Sequence, residues 1–315
     1  MGGSVMTQGL CFALQFVLAL LLSPLTMGVI NRVKAKFAGR RGKPLLQLYY
    51  DIAKQLRKGE VISDTATWVF SAGPVLALVT AVLALALLPL GGCISPFAFN
   101  CDFILFAYLL GLGRFATVLA ALDTGSPFEG MGASREAFFG ALGEPVLFLS
   151  FLALVCTAAG MRIEGDISLS VLFCGFIPKA WAAGRPELIL LIFAMGVLLL
   201  VENCRIPVDD PNTHLELTMI HEVMILDHSG PNLAFIFYGS AVKFWIFASL
   251  VAGLIVPKLS LWLQTPLTVA VILILSALTG VVESVMARLR MHIVPGLIGL
   301  AGCTAAFVLI LTLVR

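Results

Sequence analysis

Three ionisable side chains stand deep inside otherwise apolar stretches of this sequence: Arg114, Glu144 and Lys243. A charge in such surroundings is costly, and it faces a bundle interior, a partner or water. Glu202 and Glu283 close the ends of two further apolar runs. Glu136 precedes Glu144 by eight residues, a little over two helical turns, so both point to roughly one face. Desolvation favours the protonated form of a carboxylate, whereas a neighbouring Arg or Lys favours the ionised form. A row of carboxylates under both influences can exchange protons near neutral pH. The plainer alternative is a static set of ion pairs that fixes helix registry.

Polar groups also gather at 205–232, where Asp209, Asp210, His214, Glu216, His221, Glu222, Asp227 and His228 include three of the four histidines. Zinc-protease spacing is absent, because Val223, Met224 and Ile225 follow His221-Glu222. The segment reads as a hydrogen-bonded, pH-responsive loop rather than a metal site. The seven cysteines form no C-x-x-C pair. Cys93 and Cys101 share a short loop and read as two separate thiols, with a disulfide as the alternative on an oxidising face. A phosphate-binding loop and a nucleophile elbow are both missing, and Gly130-x-Gly132-Ala133-Ser134-Arg135 lacks the third glycine of a dinucleotide fingerprint. No redox centre is expected in this chain.

The elements that must position these groups follow from composition. Of 315 residues, 60% are hydrophobic and 12% charged, against roughly 45–50% and about 25% in soluble domains. A net charge of only +2 excludes a nucleic-acid-binding surface. The pattern specifies one all-α integral membrane domain over residues 1–315, with about eight transmembrane helices. A span needs about 20 apolar residues, which places spans at 9–30, 68–90, 103–122, 135–160, 187–204, 233–256, 266–282 and 293–314. The apolar run 167–178 is too short to span and reads as interfacial or re-entrant. The N-terminus lacks a basic region before its apolar run, so it reads as a first membrane helix rather than a cleaved leader.

Of the 20 basic and 18 acidic side chains, nine and three lie in the loop 31–67. With that loop in the cytoplasm, interior loops hold 13 basic residues against five on the other side, which sets orientation by the positive-inside rule. Both termini then lie on the non-cytoplasmic side of a bacterial or archaeal cytoplasmic membrane. At the helical rise, Glu144 falls about 13 Å, Arg114 about 12 Å and Lys243 about 15 Å below the cytoplasmic surface. Three charges from three helices thus share one depth. Within the basic loop, Leu45, Leu48, Tyr49, Ile52 and Leu56 recur at helical spacing between Pro44 and Gly59. That is an amphipathic surface helix, serving as a headgroup anchor or a platform for a soluble partner.

The strings Arg40-Arg41-Gly42 with Gln47 and Asp51 to Lys54, Arg114-Phe115, DTGSPFEGMGASRE at 123–136, Glu144-Pro145, ENCRIPVDDPNTHLEL at 202–217, and Glu283 with ARLR at 287–290 resemble a known family. It is the eight-helix membrane subunit shared by respiratory complex I (its subunit 1) and the group 4 nickel–iron hydrogenases. The DTGSPF and GASRE strings look most like its formate hydrogenlyase and hydrogenase-4 branch. The resemblance implies a subunit at the elbow of an L-shaped complex, holding a soluble redox arm and linking it to antiporter-like membrane subunits. Nickel–iron and iron–sulfur centres would belong to partner subunits. The family's acidic funnel falls here on Glu136, Glu144, Glu202, Glu216, Asp227 and Glu283, with Arg114, Lys243, Arg135 and Arg205 as charge partners. Soluble-arm docking falls on Arg40, Arg41, Asp51, Lys54, Asp209 and Arg288. Departures occur at Val208, Asn212, His214, the Lys43 of Gly42-Lys43-Pro44, and the ending Asp227-His228-Ser229-Gly230. They point away from a complex I-like quinone chamber and toward a divergent hydrogenase-like or formate-dehydrogenase-linked complex.

The leading expectation is therefore a coupling subunit that relays protons or electrostatic change to ion-translocating partners. A quinone-binding subunit is the second reading, with quinone in the cavity beneath 40–60 and 205–230. A stand-alone transporter or passive anchor is the third, disfavoured by the lack of internal repeats.

Overall fold

A computed structural model describes residues 2–160, 167–209, 219–257 and 259–314. Among these residues the chain is helical and has no strand, only an isolated bridge between Leu90 and Cys93. In hydrocarbon every backbone group must be satisfied internally, and a helix does this within one segment. The elements are α1 (Gly2–Phe37), α2 (Gln47–Leu56), α3 (Trp68–Leu87), α4 (Asp102–Asp123), α5 (Pro127–Gly160), a π-helical turn (Val171–Phe176) leading into α6 (Ile177–Ala182), α7 (Glu187–Glu202), α8 (His221–Met224), α9 (Gly230–Ile255), α10 (Leu261–Val285) and α11 (Val294–Val314).

Seven of these helices are long and apolar enough to cross a membrane: α1, α3, α4, α5, α9, α10 and α11. The expected eighth, α7, has 16 residues, a length of about 24 Å at the helical rise. Two spans run longer than their apolar stretches suggest. α5 begins at Pro127 rather than Arg135, and α1 continues to Phe37 rather than Ile30, because helical hydrogen bonding persists where hydropathy stops.

The centre of the bundle is α9, whose apolar window is 67% buried, against 22% for α10 and α11. It packs on α1, α2, α3, α7 and α10, while α4 lies between α3 and α5, and α11 lies against α5 and α7. Phe106, Phe151, Phe176, Phe244 and Phe247 fill the interior. Thr67 caps α3 by accepting from the Val69 amide at 3.3 Å. The Asp123 carboxylate at the end of α4 accepts from the Thr67 and Phe70 amides at 2.7 and 3.1 Å, which pins the same end of both helices.

The short apolar run is bound to the opposite end of the bundle. Asn100 accepts from the Ile167 amide at 3.0 Å, Asp102 from the Leu169 amide at 2.7 Å, and the Trp181 indole donates to the Leu254 carbonyl at 2.8 Å. It is therefore a short helical segment packed at that end of the bundle rather than a span. None of the seven cysteines is joined in a disulfide, so Cys93 and Cys101 are separate thiols.

The amphipathic helix forms at Gln47–Leu56. It lies against α1 and α9 rather than on lipid alone, with the Tyr49 hydroxyl donating to the Leu21 carbonyl. Gly28 makes this approach feasible, since a side chain there would strike the Leu45 backbone.

Candidate functional site

Arg114 projects from the middle of α4 into the seam between α5 and α7. Its Nη1 donates to Glu144 Oε1 at 2.9 Å, its Nη2 donates to both Glu202 oxygens at 2.6 Å, and its Nε lies 3.6 Å from Glu136 Oε1. The second cation, Lys243 on α9, reaches Glu202 Oε2 at 3.0 Å. Two positive and three negative side chains from four helices thus form one contact network. A planar guanidinium with five donors suits this task, because it can bond several carboxylates at once.

Small residues make the network sterically feasible. A Cβ on Gly140 would sit 2.1 Å from Arg114 Nη1, one on Gly143 would sit 3.1 Å from Glu202 Oε1, and one on Gly111 would sit 3.2 Å from Glu144 Oε1. Each glycine lies under one charged group, so the helices close on the charges instead of being held apart by them. Close approach at small residues is the usual way for membrane helices to pack.

A cavity of about 140 Å³ opens beside the network, lined by Arg114, Glu136, Glu202 and Lys243 together with Thr80, Thr117, Asn203, Cys204, Arg205, Asp209, His221, Glu222 and Ser240. The Cys204 thiol donates to Glu136 Oε2 at 3.4 Å, so this carboxylate is held from two sides.

Arg205, on the cavity wall, pairs with Glu283 Oε1 at 3.4 Å and also contacts the Met27 sulfur. Glu283 is fully buried and also binds Lys34 at 2.7 Å. This second ion group joins α1, α10 and the end of α7. It lies across the cavity wall from the Arg114 network, so Glu283 is not brought into direct contact with the other carboxylates.

Asp209, expected on the docking surface, is instead buried and turned inward. Its Oδ2 accepts from the Ile220 and His221 amides at 2.9 and 3.3 Å, and its Oδ1 meets Arg288 at 3.0 Å. It anchors the loop after α7 to the segment after α10. Arg135 donates to the Met219 carbonyl at 2.9 Å, a second tie on the same loop. Asp227 is exposed and lies away from the Arg114 network, its amide donating to Glu129 Oε1 at 3.1 Å. Glu129, which sequence reasoning does not single out, is almost fully buried, and its Oε2 has no hydrogen-bond partner. Arg40, Arg41 and Lys54 are exposed, and Asp51 accepts from Gln47 at 2.9 Å. Glu216, Asp210, Asn212 and His214 lie outside the described residues.

His228 packs face to face on Phe70, with ring centroids 4.0 Å apart and planes 10° from parallel. Burial pulls the imidazole down to about 4, so it is neutral at physiological pH. A pH-responsive loop near neutrality would need a group titrating there, and His228 does not supply one.

The NADH dehydrogenase family profile matches residues 10–314 of this chain. Hydrogenase-4 component C of Escherichia coli (strain K12) is 36% identical over 301 residues, covering 90% of this chain and 92% of that protein. Formate hydrogenlyase subunit 4 of the same organism is 30% identical over 291 residues, covering 90% and 91%. A subunit of the NADH-quinone oxidoreductase of Acidovorax sp. (strain JS42) is 24% identical over 228 residues, covering 69% and 62%. Among solved structures, a chain of the membrane-bound sulfane sulfur reductase, an archaeal respiratory membrane complex, shares the fold with a TM-score of 0.77 at 20% identity. The match covers 96% of this chain and 98% of that one.

Proposed function

From the premise that this chain belongs to the NADH dehydrogenase family and is a membrane subunit of a complex I-like or group 4 hydrogenase-like respiratory complex, we propose that it couples a soluble redox arm to ion movement in neighbouring membrane subunits. The observation that carries this reading is the single guanidinium held by three carboxylates beside a cavity. Protonation of one carboxylate releases its hold on Arg114 and tightens the hold of the other two. A proton entering at Glu136 from the cavity thereby alters the charge felt at Glu144 and Glu202, on the far side of the arginine. Lys243 keeps Glu202 compensated during that exchange.

The energies are of the right order. Moving one charge against 100 mV requires about 2.3 kcal/mol, and one pKa unit is about 1.4 kcal/mol. A change of about two units in one carboxylate therefore suffices to gate a step. The cavity volume of about 140 Å³ is smaller than the roughly 300 Å³ at which small-molecule sites begin. This supports water and protons as its occupants over a quinone ring. The exposed basic side chains of 40–58 on α2 and its approach supply the docking platform for the soluble arm, on the cytoplasmic face.

Glu136→Gln and Glu202→Gln in the assembled complex, reconstituted in liposomes, test the proposal. Proton translocation is expected to disappear while electron transfer by the soluble arm continues. Normal translocation in both variants would remove the network from the path.

A further inference from the structure

Apart from the cavity beside it, the Arg114 network meets the outside at Glu144. The side chains of Arg114, Glu136 and Glu202 are 5–11% exposed, whereas that of Glu144 is 44% exposed. Glu144 reaches the outer face of the bundle through the notch over Gly111, in the groove between α4 and α5. The groove is flanked by exposed Tyr108, Leu112 and Phe115 on α4 and by exposed Phe138 on α5. Arg114 and Glu144 lie 12 and 16 residues from the ends of α4 and α5 on the side where the 167–182 segment packs. That places them about 18 and 24 Å deep at the helical rise, inside a hydrocarbon core of about 30 Å.

A half-exposed carboxylate at that depth is costly against lipid tails. The network adds to the cost. With its five groups ionised it holds two positive and three negative charges, and the uncompensated negative charge opens outward at Glu144. The exposed residues of α10 and α11 at comparable depth, such as Ile274, Leu278 and Leu300, are apolar and suit lipid without any partner.

We propose that the α4/α5 face around Glu144 is the docking site for a transmembrane helix of a neighbouring subunit, and that this helix presents a lysine or arginine to Glu144 at that depth. The partner's cation closes the charge balance of the network, and its helix covers the aromatic rim. The surface does not rest on the relay, since a purely structural ion network would need the same cover.

The test uses the complex purified through a tag on this chain. Benzoyl-phenylalanine placed at Leu112 or Phe138 is expected to cross-link, on illumination, to an apolar peptide of another membrane subunit that contains Lys or Arg. Glu144→Lys and Glu144→Gln are expected to lower recovery of that subunit by at least about tenfold, with this chain's own membrane level unchanged. Reversing the partner's charge to Glu restores recovery in Glu144→Lys. Cross-links to lipid alone, a cross-linked peptide without a basic residue, or wild-type recovery in Glu144→Lys would each overturn the proposal. Failure of the relay reads out separately, as normal translocation in Glu136→Gln and Glu202→Gln complexes that keep the partner.

Discussion

Gly140→Ala is the sharpest perturbation of the site, because its expected sign opposes the usual one. Replacing a helix-interior glycine by alanine ordinarily stabilises a protein by about 0.5–1 kcal/mol. Here the added Cβ would lie 2.1 Å from Arg114 Nη1 and 2.8 Å from its Cδ and Cζ, where ordinary contact begins at 3.4 Å. The guanidinium must retreat by more than about 1 Å, which removes it from bonds of 2.9 Å to Glu144 and 2.6 Å to Glu202. Breaking a buried pair leaves uncompensated charge and costs about 3–5 kcal/mol, so the net destabilisation is about 2–4 kcal/mol. Gly196→Ala in α7 is the control, since its Cβ would meet nothing within 4 Å. SDS-titrated unfolding of the detergent-solubilised protein measures both. Equal stability of the two variants would refute the reasoning that Gly140 exists to admit Arg114.

Three further outcomes follow from the same geometry. His228 is neutral in the fold and has a pKa of about 4, against an ordinary value near 6.5. Its contribution is thus complete above pH 6.5 and is lost as pH falls through 4, in all about 3 kcal/mol; His228→Phe should flatten stability over that window, and an unchanged acid slope would contradict it. Arg114→Met should destabilise more than Lys243→Met, because Arg114 serves three carboxylates and Lys243 one; unfolding free energies in the reverse order would dismiss Arg114 as the hub. Asp209→Asn weakens the anchor to Arg288 and should speed amide hydrogen exchange at Ile220 and His221, whose N–H groups it holds, with exchange unchanged if the anchor is inconsequential.

Depth is legible in the sequence, because helical rise converts position into height in the bilayer. That conversion puts Arg114, Glu144 and Lys243 at one level, and the structure brings Arg114 against Glu144 and links Lys243 through Glu202. Lateral order is not legible, since hydropathy is nearly the same on every side of a span. Hence Glu283 and Asp227, expected with the other acids, lie apart from the network in direct contact terms, on α10 and in the loop before α9. The three glycines under the charges carry a signal, the i, i+3 pair Gly140–Gly143 on α5 and Gly111 on α4, but nothing in one sequence says which neighbour a missing side chain admits. Glu129 escapes sequence reasoning because it lies before the apolar part of α5, in a turn of helix that hydropathy does not register.

The central claim is that the carboxylates around Arg114 change protonation while the complex turns over. Redox-difference infrared spectroscopy of the assembled complex measures this directly through the carboxyl C=O stretch. A turnover-induced band that shifts on ¹³C-glutamate labelling and vanishes in Glu136→Gln is the predicted result. A difference spectrum with no glutamate carboxyl band, or with one that persists unchanged in Glu136→Gln and Glu202→Gln, would contradict it.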